Sequence, residues 1–180
     1  MSILDNQAFV EDYEKLKNIS LHPAKHSAAN AHEHSEMVRE RVAQLSKLNG
    51  LSASDTQLLT DLAPLHDIGK ITGTAKPCAS VELLPKYDVS DERLMALVKY
   101  HDTNLSWYLA SERGEPPTDK AWNRLARKTE MRLLCIFMIA DRIDCPGGWR
   151  ENAPLIWFLG EARKRGLLQD GLVTEPGGSV

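Results

Sequence analysis

The sequence has few cysteines and no long apolar run, and each shortage excludes a class of protein. Its three cysteines form no Cys-x-x-Cys pair, which argues against a disulfide framework or a cysteine zinc site. The longest apolar run, 133–140, is far shorter than the roughly 20 residues that a membrane span needs. The N-terminus has neither the basic nor the apolar region of a signal peptide. We therefore expect a cytoplasmic protein with no membrane contact.

An excess of charge of one sign is also missing. The chain has 22 Lys and Arg residues against 25 Asp and Glu residues, a formal net charge of −3. There is thus no general positive field to attract nucleic acid. Basic residues over 124–132 form one local stripe, which we interpret as a solvated helix face. These charges favour a small-molecule partner over a large nucleic acid.

Helical periodicity dominates what is present. Apolar residues at helical spacing predict helices over 8–18, 31–48, 54–65, 90–98, 118–144 and 153–165. The helix over 118–144 is the longest, and its apolar part is expected in the core. Pro and Gly residues predict loops over 70–89 and 111–117.

No segment shows the sustained alternation of a strand, so we predict an all-α fold. The length of 180 residues suits one domain. We place that domain at 1–172, with a core over about 20–145. Residues 173–180 hold Pro, two Gly and little to bury, and are expected to form a flexible tail.

Four ionisable side chains share faces with apolar residues on different predicted helices. They are His34, His66, His101 and Asp141. Burying a lone carboxylate costs several kcal/mol unless a partner compensates its charge. One cation at the point where the four faces meet would compensate all of them. Imidazole and carboxylate groups suit Mn, Co, Ni, Fe or Zn.

Each of these residues alone has a simpler interpretation. A single buried histidine usually forms a hydrogen bond with a backbone carbonyl. Asp141 alone would pair with Arg142 or Arg124. The metal hypothesis therefore depends on the four together, because the simpler interpretation needs a separate partner for each.

The segment Leu65–Lys70, with the sequence LHDIGK, is a second signal. Adjacent His66 and Asp67 point about 100° apart on a helix, so both reach one ion only near a helix end. Gly69 would supply that end, because glycine tolerates the left-handed conformation. Lys70 would follow just outside, where its ammonium meets the anionic part of a substrate.

These residues resemble the H…HD…D pattern of the HD superfamily of metal-dependent phosphohydrolases. His34 stands in His-Ser-x-x-Val, His66 and Asp67 stand in HDIGK, and Asp141 stands in ADRID after an apolar helix. The resemblance covers about residues 20–145. It implies an HD-domain helical bundle with a buried metal site.

The resemblance also implies a ligand set and an activity. The ligands of one divalent ion (Mn, Mg, Co, Ni, Fe or Zn) would be His34, His66, Asp67 and Asp141. The activity would be hydrolysis of a phosphomonoester or phosphodiester of a nucleotide-like small molecule by metal-activated water. Asp67 or Asp144 would position that water, and Lys70 would neutralise the phosphate. Asp144 could instead pair with Arg142.

A finer similarity concerns the segment before His34. His22-Pro23-x-x-His26 is similar to the entry of HD domains attached to bacterial tRNA nucleotidyltransferases, although Ser27–Ala29 replaces the usual Glu-Gly. We take Lys70, His101, His26 and Arg142 as candidate substrate-binding residues.

Two other functions stay open as alternatives. A metal- or nucleotide-binding regulatory HD module would keep the core without turnover, but the complete ligand set with Lys70 favours the hydrolase. An HD-fold oxygenase needs more histidines than His101 alone before the final Asp, and the same shortage favours one metal ion. The apolar helix over 153–165 either closes the core or faces a second copy in a homodimer.

Overall fold

The computed structural model describes residues 2–168 and 171–179, and this part of the chain is all-α apart from one short hairpin. The elements are α1 (Gln7–Lys15), α2 (Ala31–Leu48), α3 (Ala53–Leu65), α4 (Pro77–Leu83), α5 (Glu92–Tyr100), α6 (Thr103–Glu112), α7 (Asp119–Lys128), α8 (Met131–Ala140), α9 (Ala153–Lys164), β1 (Val173–Glu175) and β2 (Gly178–Ser179). Short 3-10 helices occur at Ile3–Asp5, Leu16–Asn18, Ile68–Thr72, Leu84–Tyr87 and Gly148–Glu151. The predicted all-α fold is confirmed. None of the described helices is long and apolar enough to cross a membrane.

Side-chain caps place the starts of α2 and α3. The carboxamide oxygen of Asn30 accepts a hydrogen bond from the N–H of Glu33 at 2.9 Å, at the first turn of α2. Ser52 caps α3 in the same way, with its Oγ 3.0 Å from the N–H of Asp55. Each cap satisfies an N–H group that the helix leaves free. The helix predicted over 54–65 therefore begins one residue earlier, at Ala53.

The predicted loop over 70–89 contains a helix, α4, and a 3-10 turn. Pro77 occupies the first turn of α4, and Pro85 occupies the first turn of the 3-10 helix Leu84–Tyr87. Proline is tolerated there because its missing N–H has no partner in a first turn. The two prolines therefore begin helical elements rather than break them, and the loop prediction was wrong.

The predicted long helix over 118–144 is divided into α7 and α8. Thr129 has extended dihedral angles (φ −148°, ψ 155°) and separates the two helices. The helix α7 is amphipathic and buries only Trp122 and Leu125, whereas in α8 every residue except Arg132 is buried. The helix α7 has one solvent-exposed face and α8 has none, so the two helices need different orientations towards the core. The longest helix is α2 instead.

The helix α8 lies at the centre of the core and packs against α2, α3 and α9. The helix α9 closes the core with Leu155 and Phe158, both fully buried. Ile156 on its other side is 46% exposed. Asp141, which directly follows α8, therefore lies near α2 and α3, the helices that carry or precede the other predicted site residues.

Residues 173–179 form a hairpin, although a flexible tail was expected over 173–180. Residue 180 lies outside the described residues. Strands β1 and β2 pair antiparallel, and Thr174 is buried. The carboxamide of Asn49 bonds both backbone groups of Val173, at 2.8 and 3.0 Å. Arg41 donates to the carbonyl of Thr174 at 2.7 Å. These bonds to α2 and its end hold 173–175 in place, and the hydrophobic pattern of the tail gave no sign of them.

Candidate metal centre

Helix ends bring the four predicted ligands together. His34 lies in the first turn of α2, His66 and Asp67 directly follow α3, and Asp141 directly follows α8. The Oδ1 atom of Asp141 lies 3.0 Å from Nε2 of His34 and 3.3 Å from Nε2 of His66. The Oδ2 atom of Asp67 is also 3.3 Å from Nε2 of His66. Ligand atoms of His34, His66 and Asp67 all lie within 4.8 Å of one another.

The backbone orients the ring of His66. Its Nδ1 donates to the carbonyl oxygen of Ala63 at 2.7 Å. Its Nε2 is buried, faces the carboxylates of Asp67 and Asp141, and has no well-aligned hydrogen-bond partner among the described residues. A hydrogen bond to a backbone carbonyl, the usual role of a buried histidine, therefore accounts for Nδ1 of His66. It does not account for Nε2, which faces two carboxylates.

Charge compensation in the cluster is strong. Burial alone would raise the pKa of Asp141, but Arg142, His34 and His66 hold it well below its usual range. Burial likewise lowers the pKa of His66, yet the carboxylates of Asp67 and Asp141 outweigh burial and raise it to about 10. The cluster therefore binds positive charge between its carboxylates. A divalent cation would replace the proton on Nε2 of His66.

Lys70 is paired directly with Asp67. Its Nζ lies 2.5 Å from Oδ2 of Asp67. Burial would raise the pKa of Asp67, but His66 and Lys70 lower it below the usual range of a carboxyl group. Asp67 is therefore ionised, as a metal ligand would have to be. Lys70 thus lies beside the cluster with its ammonium paired to Asp67.

The turn after Asp67 depends on a close approach between two segments. Gly69 lies in the 3-10 helix Ile68–Thr72, and a Cβ atom there would lie 2.4 Å from the backbone nitrogen of Ser80. The Ser80 hydroxyl accepts from the N–H of Gly69 at 2.9 Å and donates to the carbonyl of His66 at 2.7 Å. The expected left-handed glycine is instead Gly73, with φ +87°. The sequence pattern did not single out Ser80, because the segment that forms α4 was predicted to be a loop.

Asp144 connects two histidines behind the cluster. Its Oδ2 lies 2.9 Å from Nδ1 of His26, and its Oδ1 lies 3.1 Å from Nδ1 of His34. The contact to His34 is close without being a well-aligned hydrogen bond. Burial would raise the pKa of Asp144, but His34 and His26 lower it. His26 thus joins the centre through Asp144, and Asp144 does not pair with Arg142.

Arg142 spans two carboxylates. Its guanidinium donates to Asp141 and also to Asp102 at 3.2 Å. The alternative pairing of Asp141 with an arginine therefore holds alongside its histidine contacts, and the arginine is Arg142, whereas Arg124 is exposed on α7. No sequence pattern indicated that Asp102 would be the second partner.

His101 completes a row of imidazole rings. Its ring centre lies 5.1 Å from that of His66, and its Nδ1 donates to the carbonyl of Val98 at 2.8 Å. Burial and the neighbouring His66 lower the pKa of His101. It therefore offers a neutral ring to the cluster. His32 does not belong to this row and packs on the ring of Tyr13, with 4.5 Å between the ring centres.

The residues present fit a divalent ion. His34, His66, Asp67 and Asp141 offer two imidazoles and two carboxylates, a set that suits first-row transition metals. The buried Nε2 of His66, without a well-aligned partner in the described chain, is the atom that such an ion would satisfy. A second group of three, His26, His34 and Asp144, shares His34 with the first.

Comparisons of the chain with protein-family models, curated proteins and solved structures found no match.

Proposed function

We propose that the protein is a metal-dependent hydrolase of a phosphate ester, of the kind that the HD resemblance implies. The observation that supports it most is the position of His66 Nε2, buried between the carboxylates of Asp67 and Asp141, 3.3 Å from each. A divalent cation there would meet both carboxylates in place of the proton on Nε2 of His66. The substrate that suits it is a phosphomonoester or phosphodiester of a nucleotide-like small molecule.

The residues around the cluster have separate tasks in this proposal. His34, His66, Asp67 and Asp141 would hold the ion, which supplies Lewis acidity towards water and a phosphate oxygen. Asp67 would also orient the attacking water through its second carboxylate oxygen. Lys70 and Arg142 would neutralise the non-bridging oxygens of the phosphate. His101, with its lowered pKa, would offer a neutral hydrogen-bond donor or acceptor to the substrate.

One observation favours the alternative, a binding module without turnover. Lys70 and Arg142, the two cations meant for phosphate, are both already paired with carboxylates. A phosphate would have to compete with Asp67 and Asp102 for them. A regulatory module would need metal and nucleotide binding but no hydrolysis.

The test is hydrolysis of a substrate panel by the purified protein. The panel comprises nucleoside monophosphates, 2′,3′-cyclic nucleotides and a generic phosphodiester, each with Mg, Mn, Co or Ni. We expect turnover of at least one ester, lost in Asp67→Ala and kept in His32→Ala, whose side chain packs on Tyr13. Metal binding without turnover of any ester would favour the regulatory module. Turnover that survives Asp67→Ala would contradict the proposed site.

A further inference from the structure

A cavity of about 580 Å³ lies at the start of α8, at the opposite end of this helix from Asp141. Its walls come from α5, the end of α7, the start of α8 and residues 166–168. A helix rises about 1.5 Å per residue, so the length of α8 separates the cavity from the metal centre by about 15 Å. The volume is within the range of ligand sites, about 300–1,000 Å³. The cavity is therefore large enough for a small molecule and separate from the predicted metal centre.

Positive charge predominates in the wall of this cavity. The charged groups among its described lining residues are Arg93, Arg127, Lys128, Arg132 and one carboxylate, Glu130. Arg93 is already occupied by ion pairs with Glu130 and Asp55. Arg127, Lys128 and Arg132 have no ion pair within 2–168 and 171–179. Three cations of the wall are therefore available to an anion.

The position of these three cations in their helices accounts for only two of them. Arg127 and Lys128 lie in the last turn of α7, where positive charge complements the helix carbonyls. Arg132 lies in the first turn of α8, where the helix dipole disfavours a cation. It donates to the carbonyl of Asn49 at 3.0 Å, a neutral partner that leaves its charge uncompensated. An anion in the cavity would compensate it.

Exposure of the cations indicates what kind of anion fits. Arg127 and Lys128 are exposed, so a solute reaches both side chains from solvent. A single exposed ion pair contributes little to binding, so an anion held here must contact several cations at once. A second cavity of about 500 Å³ shares Arg127 and Lys128 and adds Lys99, opposed by Glu92. The positive surface therefore extends beyond the reach of one phosphate group.

We propose that the cavity at the start of α8 binds a compact oligophosphate, free or as the phosphate tail of a nucleotide, through Arg127, Lys128 and Arg132. Guanidinium and ammonium groups form charge-assisted hydrogen bonds with phosphate oxygens. The formal net charge of −3 disfavours a long nucleic acid, which would extend past this local patch. The basic stripe over 124–132 is thus more than a solvated helix face. Binding here requires neither the metal centre nor hydrolysis, so it is independent of the proposed function.

The experiment titrates inorganic tripolyphosphate into the full chain by calorimetry, without added metal. The test variant, Arg127→Gln with Lys128→Gln, changes two exposed side chains of the cavity wall. The matched control, Lys120→Gln with Arg124→Gln, removes the same charge from exposed positions of α7 outside both cavities. We expect the wild type and the control to bind alike and the test variant to bind about tenfold more weakly. Equal weakening in both variants, or no binding by the wild type, would overturn the inference.

Backbone amide resonances of the ¹⁵N-labelled wild type locate the bound anion. We expect tripolyphosphate to shift the resonances of 126–132 and to leave those of 66–70 in place. Shifts confined to 66–70 would place the anion at the metal centre and overturn the inference. ATP that binds more tightly than tripolyphosphate would identify a nucleotide as the source of the phosphates, and equal or weaker binding a free oligophosphate. A single-stranded RNA that binds more tightly than either, and equally weakly to both variants, would overturn the inference in favour of a nucleic-acid surface.

Discussion

His66 donates from Nδ1 to the carbonyl oxygen of Ala63, three residues earlier, at 2.7 Å. His101 does the same to Val98 at 2.8 Å. Both histidines directly follow the last residue of a helix, where backbone carbonyls lack intrahelical partners. The ring satisfies one such carbonyl, and its Nε2 is then directed away from the helix end. This local geometry sets the orientation of both rings, whose centres lie 5.1 Å apart.

Asp144 is predicted to position His34 without being a metal ligand. Its carboxylate lies 3.1 Å from Nδ1 of His34, on the ring edge opposite the contact with Asp141. Loss of such an outer carboxylate usually costs about 10–100-fold in metal affinity. We therefore expect Asp144→Asn to weaken metal binding by about that factor, measured by titration calorimetry. Asp119→Asn, at an exposed position of α7, should leave the metal affinity unchanged.

Two outcomes would contradict this role for Asp144. An unchanged affinity in Asp144→Asn would mean that the carboxylate does not orient His34. A complete loss of binding, as expected for Asp141→Asn, would place Asp144 among the ligands themselves.

Gly69 and Gly73 are predicted to respond differently to alanine. At Gly69 a Cβ atom would lie 2.4 Å from the backbone of Ser80, so the two segments must separate, at a cost of about 1–3 kcal/mol. At Gly73 no atom lies within 4 Å of the added Cβ, and only the positive φ opposes it, at about 1 kcal/mol. Urea unfolding of Gly69→Ala and Gly73→Ala measures both costs. Equal destabilisation would show that the approach to Ser80 is not tight.

Asp12 is predicted to make the fold sensitive to acid. Burial would raise its pKa, but Lys15, Lys86 and Tyr87 lower it to about 2. A carboxylate with a lowered pKa stabilises the fold above its unfolded value of about 3.9 and loses that contribution as pH falls towards 2. The contribution is about 2 kcal/mol at neutral pH.

Asp12→Asn tests this sensitivity. Urea unfolding should show the variant less stable than the wild type at pH 6, with about two thirds of that difference lost at pH 2.5. Glu115→Gln, in an exposed loop, is the control and should follow the wild type at both values. A difference between Asp12→Asn and the wild type that stays constant with pH would mean that packing, not charge, explains the cost.

Convergence of His34, His66 and Asp141 could be predicted from the sequence, because helical spacing shows which side chains share an apolar face. Position at a helix end is also readable, since Asp141 closes a long apolar run. The pairing of Arg142 with Asp102 could not be read in this way. It depends on how the start of α6 lies against the end of α8, and no local pattern encodes that.

Local signals failed mainly where an element depends on tertiary packing. The predicted long helix ends at Thr129 because α7 and α8 meet the core differently. The sequence does change there, from apolar residues on one side of α7 to apolar residues all round α8. The hairpin of 173–179 depends on Asn49 and Arg41, residues more than 120 positions away. Pro77 was interpreted as a breaker, although proline is equally suited to a first turn.

Metal content tests the central claim most directly. The purified protein is loaded with Mn, Co, Ni, Fe, Zn or Mg, and bound metal is measured together with the melting temperature. We predict one equivalent of at least one metal, with a rise of about 5–10 °C at a metal concentration near 100 times Kd. Both effects should disappear in Asp141→Asn and persist in His32→Ala. Absence of bound metal under every condition, or binding that Asp141→Asn leaves intact, would contradict a metal centre at His34, His66, Asp67 and Asp141.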